Sequence, residues 1–431
     1  MTNKSEVETR SLMQRMEAVK QEITRHLEDG VIPFWLKGID TEYGGYLTCF
    51  DENGVPTEDT DKYIVTQTRM IWGMSRFYRE YPENKELLLA ARQGVEFYIK
   101  HFWDTEYGGW FWKTNRKGEL LDDGKVTYGQ SFSIYALAEY THATGDPIGQ
   151  EYAEKTFDLM QKYCTDTVRG GYYENLERDW QVSSPGFHAG DRKSLDIHMH
   201  IMEAFTTLAL VSKKEIHRRK LKESIEIILR YMVNAEIGCG LNQFDLDFKP
   251  IPAINIRRTW NAERETGEVI DEPMDTTSYG HNVELAWLLS YAGEVLNNKE
   301  EYLEITKKLV DHALRYGVDL EIGGVYRDGP HVGEPLVKDK EWWQNCESLV
   351  GFLNAFQQSG DEKYLNTFEN LWDFCKENFI NHEVGEWYQL LDKNGNILVS
   401  DLGNPWKAVY HTGRALLESK LRLERLVKSL I

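Results

Sequence analysis

The sequence predicts an all-α protein, an (α/α)6 barrel of twelve helices arranged as six helical hairpins with short β-hairpin loops. Two observations carry the prediction. A turn signature recurs six times, and each interval between copies holds two stretches with the 3.6-residue apolar period of a helix. The strong copies read Asp-Thr-Glu-Tyr-Gly-Gly-Tyr at 40–46, Asp-Thr-Glu-Tyr-Gly-Gly-Trp at 104–110 and Asp-Thr-Val-Arg-Gly-Gly-Tyr at 166–172, and weaker ones lie at 236–240, 321–326 and 383–388. Their anchors, Gly44, Gly108, Gly170, Gly238, Gly323 and Gly385, are 64, 62, 68, 85 and 62 residues apart. Six near-equal units favour a closed ring over an open solenoid.

The elements follow from the same pattern. Residues 86–102 and 128–144 make one pair of periodic stretches, and 280–296 and 300–316 another. Short aromatic, glycine-bearing segments such as 109–113 read as small hairpins, and nothing supports a parallel sheet. No Pro-rich or low-complexity linker interrupts the chain, so residues 1–431 are read as one domain.

Composition narrows the function. With 50 Lys+Arg against 70 Asp+Glu the formal charge is −20, the wrong sign for nucleic acid or anionic lipid. No apolar run reaches the roughly 18–20 residues of a membrane span. Residues 1–25 are charged and lack a signal-peptide apolar core, so a cytoplasmic location is expected. The five scattered cysteines form no CxxC pair, which argues against disulfides and structural zinc, and Cys346 reads as a core residue. Aromatic residues make up 12% of the chain, enough for sugar-stacking surfaces beside a core.

Alternate helices carry polar and aromatic clusters near their starts: Arg69–Trp72, Tyr128–Phe132, His198–His200, His281–Glu284, Trp342–Glu347 and His411–Arg414. If these are the inner helices, the clusters converge on one pocket. His200 and His281 are each followed three residues later by a glutamate, Glu203 and Glu284, which on a helix sets a carboxylate beside the imidazole. His198 and His200 project roughly 200° apart, so only one faces the pocket, and His200 shares its face with Glu203. His26, His101, His142, His217 and His312 read as surface or capping residues. A metal site would need Glu-x-x-His or His-x-Asp/Glu constellations, which are not clear, so no metal and no cofactor are expected. A two-carboxylate glycosidase built on Asp196, Glu284 and Glu347 stays open but leaves the histidines without work.

These segments resemble the N-acylglucosamine 2-epimerase superfamily, which includes cellobiose 2-epimerases, mannose 2-epimerases and aldose–ketose isomerases. The resemblance runs from Ile32-Pro-Phe-Trp35 to Tyr410-His-Thr-Gly-Arg414. It is carried by Thr68–Trp72, Tyr128–Leu137, His198–Ala204, Tyr279–Glu284, Trp342–Phe352 and Trp406–His411. It implies the same barrel and metal-free epimerisation or isomerisation of a free reducing sugar. Position by position, it puts the paired acid/base histidines on His281 and His411, the ring-opening histidine on His200 and the arginine on Arg69. The accompanying carboxylates fall on Glu284 and Glu347, and the sugar-contacting aromatics on Tyr128, Trp343 and Trp406. Asp196, Gln344, Asn345, Cys346 and Thr412 depart from the cellobiose enzymes' pattern, and Asp196 is taken as a substrate contact.

The chemistry agrees with that implication. An aldehyde acidifies the neighbouring C2 hydrogen, a near-neutral base removes it, and an arginine steadies the enediolate. Two opposed bases invert C2, whereas protonation at C1 yields a ketose. The expectation is a D-mannose/D-glucose 2-epimerase acting on a small-molecule monosaccharide, with a homo-oligomer left open. Alternatives are a mannose–fructose isomerase, a 2-epimerase of cellobiose or N-acetylglucosamine, and a catalytically silent sugar-binding toroid. Extra residues at about 252–277, before His281, are expected to overhang the rim and exclude a second sugar ring.

Overall fold

The computed structural model describes residues 4–252 and 276–430. Helix α1 (Lys4–His26) continues through a π turn into the short α2 (Ile32–Leu36). Thereafter inner and outer helices alternate: α3 (Ile64–Glu80) and α4 (Lys85–Phe102), α5 (Thr127–Thr144) and α6 (Pro147–Leu159), α7 (Leu195–Ser212) and α8 (Glu215–Ile227). The remainder are α9 (Tyr279–Leu296) and α10 (Leu303–Tyr316), α11 (Trp342–Ser359) and α12 (Glu362–Asn378), and α13 (Val409–Ser429). The odd-numbered helices from α3 to α13 pack on one another in sequence order, and α13 returns to α3 and to α1. The inner ring therefore closes, with α1 taking the outer place beside α13.

Burial explains which helices are inside. In α5 every residue from Thr127 to Tyr140 is buried, as a helix must be when it has neighbours on all sides. The outer helices keep one apolar stripe, for example Leu87, Ala90, Ala91, Val95 and Tyr98 of α4. Gly145 and Gly360 end α5 and α11 in the left-handed conformation, the usual device for closing a helix. Among the described residues no strand exceeds three residues, and no helix is long and apolar enough to cross a membrane.

The repeated turn is what aims the inner helices. At Gly109, φ is +72° and a Cβ would meet the Trp180 ring 2.4 Å away, so only glycine fits. The first residue of the signature closes the turn with its side chain: Asp40 accepts the amides of Glu42 and Tyr43, and Asp104 those of Glu106 and Tyr107. A lysine two residues before an inner helix then reaches a carboxylate of the turn. The pairs are Lys62–Asp40 at 3.0 Å, Lys125–Asp104 at 3.0 Å, Lys193–Asp166 at 2.9 Å, Lys340–Asp319 at 2.8 Å and Lys407–Glu386 at 3.2 Å. All five lysines are buried. In the fourth unit, Asn234 and Thr277 occupy the corresponding positions.

One expectation is corrected here. His217 and His312 are buried rather than surface residues, because they face inward from the outer helices α8 and α10. His217 bonds Ser212 Oγ at 2.6 Å, and His312 bonds the His331 carbonyl at 2.7 Å. The extra segment expected to overhang the rim lies almost wholly at 253–275, outside the described residues.

Candidate active site

Counting along each inner helix from its first residue shows how one register makes the site. The fourth residues are Gln67, Gln130, His198, Asn282, Asn345 and Thr412. They face back toward the repeated turns: Gln67 bonds both backbone groups of Tyr46, Gln130 those of Trp110, and His198 Nε2 accepts the Tyr172 amide at 3.0 Å. The sixth residues are Arg69, Phe132, His200, Glu284, Glu347 and Arg414, which lie about 200° away and point to the barrel axis. The second and third positions supply Tyr128, Asp196, Trp343, Tyr410, His281 and His411 on the same side.

Arg69, Tyr128, Asp196, His200, His281, Glu284, Trp343, Trp406 and His411 line one depression of about 570 Å³, mouth included, at the starts of the inner helices. Glu347 stands behind it, with its Oε1 2.7 Å from His411 Nδ1. Trp342, Glu341 and Gln389 also line the depression. Sequence reasoning missed the last two; they sit in loop and strand positions outside the helical register.

His200 lies between two carboxylates, with Nδ1 2.9 Å from Glu203 and Nε2 3.3 Å from Asp196. Burial alone would push its pKa down, but those carboxylates outweigh burial and lift it to about 10, so the ring is an imidazolium at neutral pH. Asp196 is also 3.5 Å from His281 Nε2. Burial works against its ionised form, yet His200 and His281 hold its pKa below the usual carboxylate range. Both His281 and His411 lie against the Trp343 indole, with ring centroids 4.6 and 5.7 Å away. Arg69 donates to Tyr128 Oη at 3.0 Å and to the Trp406 carbonyl, and its guanidinium stacks over Phe132 at 4.9 Å.

Beneath this layer sits Arg414, whose part the sequence reading did not find. It is 1% exposed and bonds Glu284 at 2.5 Å, Glu347 at 2.7 Å, and Glu203 and Tyr410 besides. The expected pairing of Glu284 with His281 is corrected accordingly: Glu284 Oε1 accepts from Arg414, and the carboxylate beside His281 is Asp196. The i, i+3 spacing is sound, but a guanidinium arriving from another helix binds a carboxylate more strongly than an imidazole does. The register held the signal, since Arg414 is a sixth residue like His200.

Three carboxylates around one guanidinium leave negative charge in excess. Burial, reinforced by Glu284 and opposed by Arg414, raises the Glu347 pKa to about 8. Burial, with Arg69 and Arg414, holds the His411 pKa well below its ordinary value. The Glu347–His411 pair thus shares one proton at neutral pH, His411 is neutral, and Glu347 controls its tautomer. Glu284, Glu347 and His411 offer ligand atoms within 4.8 Å of one another. Arg414 already bonds both carboxylates, so a divalent cation there would meet a positive charge.

Residues 45–415 match the N-acylglucosamine 2-epimerase (GlcNAc 2-epimerase) family. The chain is 29% identical over 412 residues to a cellobiose 2-epimerase of Bacteroides fragilis, covering 93% of this chain and 98% of that one. It is 25% identical over 405 residues to a D-mannose isomerase of Marinomonas mediterranea, covering 91% and 95%. The solved cellobiose 2-epimerase of Spirochaeta thermophila superimposes with a TM-score of 0.85 at 28% identity, covering 96% and 98%. With that barrel and these histidines in one pocket, the chain belongs to the N-acylglucosamine 2-epimerase family and is a carbohydrate epimerase or isomerase.

Proposed function

We propose that this enzyme interconverts D-mannose and D-glucose by inverting C2, with His281 and His411 as the two acid/base groups and no metal ion. The observation that carries the reading is the pair of imidazoles against one indole, each beside a carboxylate: Asp196, shared with His200, for His281 and Glu347 for His411. Inversion needs a proton removed from one face of C2 and another delivered to the opposite face. A single fixed base does not serve both.

In this mechanism the charged His200 gives a proton to the ring oxygen while the Asp196 carboxylate takes the proton of the C1 hydroxyl, so that the C1–O5 bond breaks and the pyranose opens to the aldehyde. One histidine then takes the C2 proton, the electron pair forms the enediolate, and Arg69 stabilises the oxyanion. The other histidine returns a proton to the far face of C2. His411 is suited to this exchange of roles because it is neutral and shares its proton with Glu347. The aromatic walls Tyr128, Trp343 and Trp406 suit a sugar ring, and Asp196 suits its hydroxyls.

A second reading, conversion of mannose to fructose by protonation at C1, is favoured by the likeness to a D-mannose isomerase. Incubating the EDTA-treated protein with mannose in D2O and following the sugars by NMR separates them. Glucose deuterated at C2 supports the epimerase, fructose supports the isomerase, and an unchanged sugar refutes mannose as substrate.

A further inference from the structure

The later turns of the same inner helices enclose a second chamber, at the opposite end of the barrel from the histidine pocket. It measures about 810 Å³ with its mouth and lies beyond the Arg414 layer. Arg76 and Arg79 of α3 and Arg422 and Arg425 of the neighbouring α13 line it, in a chain of charge −20. The facing carboxylates are Glu139, Glu294 and Glu418, with Glu203 already committed to Arg414 and His200.

Glu139 pairs with Arg79 at 2.9 Å, but the carboxylates leave Arg76 and Arg422 under-used. Arg76 is buried, and its ion pair is Glu418 at 3.6 Å, too long for a hydrogen bond. Arg422 is 6% exposed; it donates to Asn354 and Gln357, reaches Glu418 only at 3.8 Å, and its Nε has no partner. Buried guanidinium donors are rarely left unmade, because each costs its full desolvation.

We infer that this rear chamber binds a small tetrahedral oxyanion, inorganic phosphate or a phosphomonoester, through Arg76, Arg422 and Arg425. Three guanidinium groups from two neighbouring helices offer more donors than one planar carboxylate can take, and a tetrahedral group, with oxygens in several directions, can use them. The inference is independent of which sugar the front pocket turns over.

The test is calorimetric titration of the full chain with inorganic phosphate in a chloride buffer of matched ionic strength, with acetate as the planar comparison. Phosphate should bind more tightly than acetate. Binding should weaken at least tenfold in Arg76→Gln and in Arg425→Gln, and should be unchanged in Arg69→Gln and in the presence of mannose. Arg425 is exposed, so its variant keeps the fold even if Arg76→Gln does not. No phosphate binding, equal binding of acetate, undiminished binding in Arg425→Gln, or loss in Arg69→Gln would each overturn the inference.

Discussion

The five lysine struts at the rim and Arg414 at the centre are all cations withdrawn from water, but they are built in opposite ways. Each strut joins a lysine to a turn carboxylate, and four of the five lysines also bond a backbone carbonyl; Lys193 takes Asp166 and the carbonyls of Gly170 and Leu246. Charge is balanced on the spot, and the pair holds a helix to its turn. Arg414 instead has Glu203, Glu284 and Glu347 around it. That excess is relieved only by adding protons, one on His200 and one shared by Glu347 and His411. Balanced charge makes a scaffold, and unbalanced charge makes groups that hold and move protons.

The difference is sharpest when one cation of each kind is removed. Arg414→Met strands three buried carboxylates, and breaking such a pair costs about 3–5 kcal/mol. Turnover of the fraction still folded should also fall by about 10²–10⁴, the span of general acid–base catalysis. Urea unfolding and mannose turnover read the two effects separately. Lys340→Met should lose a similar ~3–5 kcal/mol while the folded fraction keeps its kcat. An equal loss of kcat in both variants would break the comparison.

Two histidines on α7 repeat the contrast within one helix. The His200 charge stabilises the fold fully below its ordinary pKa of 6.5, and that contribution is lost as pH rises through about 10. His200→Gln should therefore flatten the decline of Tm across that window and lower kcat by about 10²-fold or more. The smallest effect belongs to His198→Gln, where exchanging the ring that accepts the Tyr172 amide should cost about 1 kcal/mol and leave kcat alone.

The fold was legible because the repeat is local. Gly-Gly turns, the aspartate before them and the helical period all lie within one unit, and the predicted stretch 280–296 differs from α9 (Tyr279–Leu296) by one residue. The pocket residues were legible for a related reason, since convergence follows once alternate helices are taken as inner. Arg414 was not, because its partner Glu284 is 130 positions away and an i, i+3 histidine stood closer in the chain. His217 and His312 were misplaced because charged neighbours in α8 and α10 hid the face each presents inward. Glu341 and Gln389 reach the rim from outside the helical register, where no spacing rule points.

The central claim, two opposed bases at one carbon, is tested most directly by following C2–H exchange in D2O from each sugar in turn with His281→Asn and His411→Asn. The account predicts a reciprocal pattern without interconversion: one variant still exchanges mannose but not glucose, and the other exchanges glucose but not mannose. Interconversion surviving in either variant, or one variant exchanging both sugars, would contradict it.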